Sequence, residues 1–251
     1  MLKKRIMPCL LINENGGLVK TIKFQNPKYI GDPLNAVKIY NEKQVDELII
    51  LDITASKFNS SPNFKIIEKI ASECFIPLSY GGGIRTIEDI KSLFSLGIEK
   101  VVLNSISIES PHIISEAAHI FGSQSVIVNI NTRLNFFKKY RMYNSKKKKI
   151  TSVCPVLHSQ YVESLGAGEL MITSVDQDGM LKGYDLPLLK KIVPSVSIPV
   201  IACGGAGKLE DITDALQSNV PALAAGSLFV YKKSSRSVLI NYPEHDEIEK
   251  L

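Results

Sequence analysis

Short runs in which nearly every position is apolar recur along the chain. Between them lie stretches whose apolar positions fall every third or fourth residue. The first spacing belongs to strands covered on both faces, the second to amphipathic helices packed on one side. The runs predict strands over Arg5–Leu11, Glu47–Ile53, Ile76–Tyr80, Lys100–Asn104, Ser125–Asn131, Glu169–Ser174, Ile198–Cys203 and Ala222–Ala225. The helical spacing predicts helices over Asp32–Gln44, Asn63–Cys74, Ile87–Leu96, Pro111–Phe121, Val153–Leu165 and Asp185–Val193. Asp32-Pro33 and Ser110-Pro111 have the form of an N-cap followed by proline in the first turn, and Gly97 and Gly166 stand where helices end in a left-handed residue.

Eight apolar strands alternating with helices in 251 residues fit a closed (β/α)8 barrel, an α/β fold of TIM type. An open doubly wound sheet is the alternative, but no GxGxxG follows the first strand. The two halves echo each other: "DELIILDIT" and "IPLSYGGGI" reappear as "GELMITSVD" and "IPVIACGGAG", displaced by 122 residues. That repeat predicts two duplicated half-barrels forming one domain over 1–251.

Composition changes this picture little. With 45% hydrophobic and 22% charged residues, the chain can bury a large core. Its longest apolar runs fall far short of the roughly 18–20 residues that span a bilayer. No leader peptide is read at the N-terminus, so a cytoplasmic location and no membrane partner are expected. Cys9, Cys74, Cys154 and Cys203 are scattered without CxxC spacing and read as buried free thiols; no metal and no cofactor is expected.

Charge is more informative. Lys138, Lys139, Arg141 and Lys146–Lys149 lie within one short segment, and removing these seven cations takes the net charge from +5 to −2. The basic character therefore belongs to an insertion at about 133–152 after the fifth strand. It reads first as a solvated loop, second as a surface for an acidic partner or anionic ligand, and not as a nucleic-acid site.

In a barrel of this kind the ligand site lies at the C-terminal ends of the strands. Two places there are glycine-rich, Gly81-Gly82-Gly83 after the third strand and Gly204-Gly205 after the seventh. Missing β-carbons let backbone N–H groups approach an anion. Asn104-Ser105 and Ala225-Gly226-Ser227 on the adjoining strands complete two opposed phosphate cradles, which implies a ligand with two phosphates.

These segments, together with "GDP", "EKVVLNS", "FGSQSVIV" and "GYDL", resemble the cyclase subunit of imidazole glycerol phosphate synthase over about residues 2–230. The resemblance implies a barrel paired with a glutaminase subunit, whose ammonia passes through the barrel to a bisphosphate substrate at the far mouth. It also places Lys20, Asp52, Thr173, Asp178 and Gly179 on the mouth side. Arg5, Glu47, Lys100 and Glu169 match the family's charged gate at the base, and Glu99 and Gln124 match positions facing the partner.

The chain departs from the family where the chemistry should be. Leu11 stands in place of the first catalytic aspartate and Asn131 in place of the second; Gln177 replaces a usual arginine. Cyclisation needs proton transfer, which leucine cannot perform and asparagine has no titratable group for. The pattern predicts an ammonia-channelling subunit without cyclase activity. It is similar to the cyclase-like proteins of surface-polysaccharide amidination systems, in which a third protein, an amidotransferase, uses the ammonia. "SVLINYP" in place of a C-terminal helix predicts an altered mouth beside the eighth strand. A true cyclase using Asp52, Asp176 or Asp178 is the first alternative, and a non-catalytic scaffold or activator of the glutaminase the second. A phosphorylated or nucleotide-sugar small molecule is the expected ligand class.

Overall fold

The computed structural model describes residues 4–232, 237–244 and 247–248. The first three residues, where the absence of a leader was read, lie outside this range, as do the last three. Eight parallel strands close on themselves: β1 (Arg5–Ile12), β2 (Leu48–Asp52), β3 (Leu78–Gly81), β4 (Lys100–Leu103), β5 (Val126–Leu134), β6 (Glu169–Ser174), β7 (Val200–Cys203) and β8 (Ala222–Ala225). Closure is completed by β8 against β1, with Arg5 opposite Ala222 and Pro8 opposite Ala225. Its longest seam runs between β5 and β6, from Glu169 opposite Ile127 to Ser174 opposite Thr132. The fold is the (β/α)8 barrel.

Alternation along each strand sorts the side chains into two cores. Ile6, Leu10, Leu48, Ile50, Leu78 and Tyr80 point outward into the layer between barrel and helices. Met7, Cys9, Ile49, Val102, Ile127, Met171, Ile201, Ala222 and Ala224 fill the lumen as a separate apolar cluster. Strands must therefore be apolar on both faces, which is why they read as unbroken hydrophobic runs.

The helices start where side chains can cap them. Asp32 accepts from Leu34 N at 2.9 Å ahead of Pro33–Glu42, and Thr86 and Asp89 form a reciprocal capping box ahead of Ile87–Ser95. Ser110 does not cap as expected: Pro111 holds the cap position, and the helix begins at His112 without a side-chain bond. Gly97 and Gly166 do take left-handed backbone, with φ of 96° and 99°. One further helix, Leu209–Gln217, carries the same amphipathic spacing.

Two additions extend beyond the expected elements. A hairpin of Leu18–Ile22 and Gln25–Gly31 rises from β1. The basic insertion is a folded three-stranded meander: β5 runs on to Leu134, pairs with Tyr140–Asn144, and that strand pairs with Lys149–Ile150. Lys138 and Lys139 thereby fall in one turn and Lys146, Lys147 and Lys148 in the other, at opposite ends of the strand that carries Arg141, with Lys149 opening the third strand. All four cysteines are free; Cys9 is buried, whereas Cys74, Cys154 and Cys203 are only partly covered.

The "SVLINYP" segment, 237–243, acts as a strap along the flank. Leu239 N and Asn241 N bond to Val230 O and Phe229 O, each at 2.9 Å. Buried Tyr242 packs on Phe229, ring centroids 4.9 Å apart, and donates its hydroxyl to Ile6 O at 2.8 Å. The segment thus joins the short stretch after β8 to the start of β1. Tyr242→Phe is expected to lower unfolding stability by about 1 kcal/mol through the lost bond. Tyr242→Ala is expected to cost about 3–5 kcal/mol through the added cavity. Urea denaturation of both variants checks the order.

Candidate functional site

At the C-terminal ends of the strands opens one cavity of about 580 Å³. The strand ends supply its wall: Gly82 and Gly83 after β3 with Asn104 and Ser105 after β4, then Gly204 and Gly205 after β7 with Ala225, Gly226 and Ser227 after β8. Leu11, Lys20, Asp52, Asn131, Thr173, Asp178 and Gly179 line the same space. Glycine is required here by the protein's own packing. A β-carbon on Gly205, at φ 113°, would lie 2.0 Å from Gly183 O, and one on Gly226 would lie 2.9 Å from Cys9 O. These glycines consequently bring backbone close to neighbouring chain at the cavity wall.

The floor is neutral. Leu11 presents an aliphatic side chain. Opposite it Asn131 donates to Asn104 Oδ1 and accepts from Asn129 Nδ2, each at 3.3 Å. Asn104 donates to Asn129 O at 2.6 Å, and Thr173 Oγ1 donates to Asn129 Oδ1 at 2.9 Å. Buried amides satisfy one another in this network, so Asn131 is fixed with no group that takes up or releases a proton near neutrality. Asn129 was not singled out from the sequence; its place two residues before Asn131 on one strand face was the available signal.

The charged residues of the mouth have structural duties. Lys20 Nζ donates to Cys9 O at 2.9 Å, and burial pushes its ammonium below the usual lysine range despite the neighbouring Cys9 and Asp178. Asp178 accepts from Thr21 Oγ1 at 2.8 Å and from Phe24 N at 3.3 Å, clamping the first hairpin; burial raises its carboxyl against those bonds. Asp52 Oδ1 accepts from Thr54 N, Thr54 Oγ1 and Ala55 N at 2.7–2.9 Å. Asp176 holds Arg133 Nε at 3.1 Å and Leu134 N at 2.9 Å and stands outside the cavity lining. Each of the three aspartates considered for acid or base work is thus tied to its own chain.

The two hairpins meet over the rim. Phe24 and Tyr143 contact edge to face with centroids 6.2 Å apart, and the Arg133 guanidinium lies over Tyr143 at 5.7 Å. Lys146 and Lys148 also line the cavity. Sequence reasoning had placed these lysines in a basic segment without assigning them to the site, and it passed over Phe24, Arg133 and Tyr143. Only the hairpin pairing brings them together.

At the opposite end Arg5, Glu47, Lys100 and Glu169 form an alternating ring. Arg5 bonds Glu47 at 2.5 Å and Glu169 at 2.7 Å, while Lys100 bonds the same two acids at 3.0 Å and 2.7 Å. Burial alone would raise the Glu169 carboxyl, but the bonds from Arg5 and Lys100 outweigh it and hold the group below the usual carboxylate range. Burial likewise opposes the charge on Arg5, yet the two acids drive its affinity for the proton above the usual arginine value. Glu99 and Gln124 are exposed beside this ring, immediately before β4 and β5. Between ring and mouth lies the apolar lumen.

This architecture, a closed parallel barrel with a cavity at its strand ends and a charged ring at the other end, is that of a (β/α)8 barrel. The chain belongs to the histidine biosynthesis protein family, whose pattern it matches over residues 5–235, and within it to the HisF-like subunits of imidazole glycerol phosphate synthase. It is 45% identical over 250 residues to a Pseudomonas aeruginosa protein named "Putative imidazole glycerol phosphate synthase subunit hisF2", covering 99% of both chains. A Vibrio vulnificus relative carrying the same name with hisF3 is 44% identical over 252 residues, 100% of this chain and 96% of the other. The "Imidazole glycerol phosphate synthase subunit HisF" of an Exiguobacterium species is 44% identical over 240 residues, 95% of this chain and 92% of the relative. Among the described residues, no helix is long and apolar enough to cross a membrane and no cluster of residues suits a metal ion.

Removing one member of the charged ring leaves its partners buried and unmatched. Glu169→Ala is expected to lower stability by about 3 kcal/mol. Because the folded carboxyl is held below its unfolded value of 4.5, its stabilisation is present above that pH and fades as pH falls through the lower folded value. Urea unfolding of wild type and Glu169→Gln from pH 7 downward should therefore show the gap between them closing in that acidic window.

Proposed function

We propose that this chain is the barrel subunit of a glutamine-dependent complex, taking ammonia from a glutaminase at its base and releasing it at its mouth without cyclising a substrate. The carrying observation is the contrast between the two ends. The base keeps a complete four-membered charged ring, whereas the mouth has Leu11 and the amide-bound Asn131 at its floor. The lumen between them is lined by Met7, Ile49, Val102, Ile127, Met171 and Ile201, a surface that suits neutral ammonia and disfavours ions. Relatives named as subunits of imidazole glycerol phosphate synthase support a partner that supplies ammonia.

In this reading the glutaminase docks over the ring, with Glu99 and Gln124 at the contact, and passage requires one ring member to swing aside. The cradles bind phosphate groups of a small molecule. The final acceptor is handled by a third protein, an amidotransferase that turns an acetamido sugar into an acetamidino sugar for surface polysaccharide. The segments "PCLL" and "LVKT", which hold Leu11 and Lys20, support that assignment. A cyclase with substitute carboxylates is disfavoured by the bonds that occupy Asp52, Asp176 and Asp178.

Two measurements test the reading. Supplied with the ribulosyl bisphosphate intermediate and ammonium salt, the protein is expected to form imidazole glycerol phosphate at a rate lower by roughly 10²–10⁴ for each missing acid or base; turnover typical of an enzyme refutes the conduit. In the complex, Lys100→Glu is expected to leave hydrolysis of amide-labelled glutamine running while label in the acceptor falls. A scaffold or activator predicts that label follows hydrolysis without uncoupling.

A further inference from the structure

We infer that the turn at 145–148 forms a separate anionic subsite on the rim of the mouth cavity, built for the diphosphate group of a diphosphate ester. The inference rests on the reading of this cavity as a ligand site and adds to the two glycine cradles a third point of attachment. The fold of the turn decides which lysines take part. Lys146 and Lys148 line the cavity, while Lys147 and Lys149 do not. The turn is fixed: Lys147 N donates to Asn144 Oδ1 at 2.8 Å, and Lys148 adopts left-handed backbone at φ 51°. A left-handed lysine is an unfavourable choice where glycine or asparagine would serve, and here it stands in the cavity lining together with Lys146.

The charge in the cavity is unbalanced on this side. Among the described residues, its carboxylates are Asp52 and Asp178, and both are engaged by their own chain. Among the described residues, Lys146 pairs with Glu109 at 3.4 Å across an exposed edge, and Lys148 has no ion-pair partner. Arg133, also in the lining, is held by Asp176 and the Tyr143 ring, so its guanidinium is positioned without a ligand. Two ammonium groups two residues apart, backed by a fixed guanidinium, match adjoining phosphoryl groups better than a single phosphate. With the diphosphate at the rim, the organic part of the ester extends inward toward Asn131 and the lumen exit.

Inorganic pyrophosphate and inorganic phosphate, titrated separately by calorimetry at physiological ionic strength, test the subsite. Pyrophosphate is expected to bind wild type and to lose at least tenfold in affinity to Lys146→Ser/Lys148→Ser. Lys147→Ser/Lys149→Ser, with the same change in net charge, should bind as wild type does. Ser227→Asp, which sets a negative charge in the β8 cradle, should weaken inorganic phosphate and leave pyrophosphate unchanged. Equal loss in the two lysine pairs, or none in the first, overturns the rim subsite. Pyrophosphate binding that depends on Lys146 and Lys148 with no phosphate response to Ser227→Asp overturns the cradles and retains the rim.

Discussion

Closing eight parallel strands into a barrel forces every second side chain into a single lumen, and the rest of the molecule follows from that constraint. The outward residues must be apolar to seat the helices. The inward ones must fill a tube without water along its middle, hence Met7, Ile49, Ile127 and Met171. Only the two ends can carry polar groups. At the base, strand starts bring two acids and two bases to one level, where pairing makes their burial tolerable. At the mouth, strand ends release the chain into loops, so backbone N–H groups and side chains are free to face a ligand.

The strap at 237–243 shows how strongly the outer layer needs cover. No full helix follows β8 among the described residues; a short helix, Ser227–Val230, precedes the strap. The outer face of β1 would otherwise lack part of its packing. Phe229 and Tyr242 supply it, and the Tyr242 hydroxyl reaches Ile6 O one residue from Arg5. Tyr40 from the first long helix also bonds Phe229 O, at 3.3 Å, which ties that helix to the short one against which the strap lies. An extended segment thus does the covering work of a helix, and it braces the strand that carries both the ring arginine and Leu11.

Barrel, strand order and main helices were legible because burial on both faces leaves an unmistakable apolar signature, and because Gly97, Gly166 and Asp32 mark helix ends. Strand limits were less so: β5 runs three residues past Asn131 because its partner, Tyr140–Asn144, is polar and carries no such signature. The ring was legible only through the family resemblance, because the 122-residue repeat relates Glu47 to Glu169 but sets Arg5 and Lys100 opposite the apolar Ile127 and Ala222. The rim was not legible. Phe24 stands at a turn with φ 61°, Tyr143 sits in a basic run, and their contact depends on two separate hairpins folding over one opening. The same run hid a division of labour, because the turn at 145–148 places Lys146 and Lys148 in the cavity lining and leaves Lys147 and Lys149 out of it.

The paired substitutions at Leu11 and Asn131 are best understood through what a carboxylate does at the end of an apolar channel. Ammonia crosses such a channel as a neutral molecule, and a nearby carboxylate stabilises the protonated ammonium by charge pairing. In a cyclase that meeting point is useful, since the acid and base act on a substrate waiting there. Where the acceptor lies elsewhere, an anionic floor would hold ammonium and rob it of its nucleophilic lone pair. Leucine removes the charge on one side. On the other, the amides of Asn104, Asn129 and Asn131 satisfy one another and Thr173, which fills the position without leaving a buried acid to be neutralised. In the proposed conduit, a floor made neutral on both sides would suit transit and supply neither acid nor base, so the two changes act on one physical property.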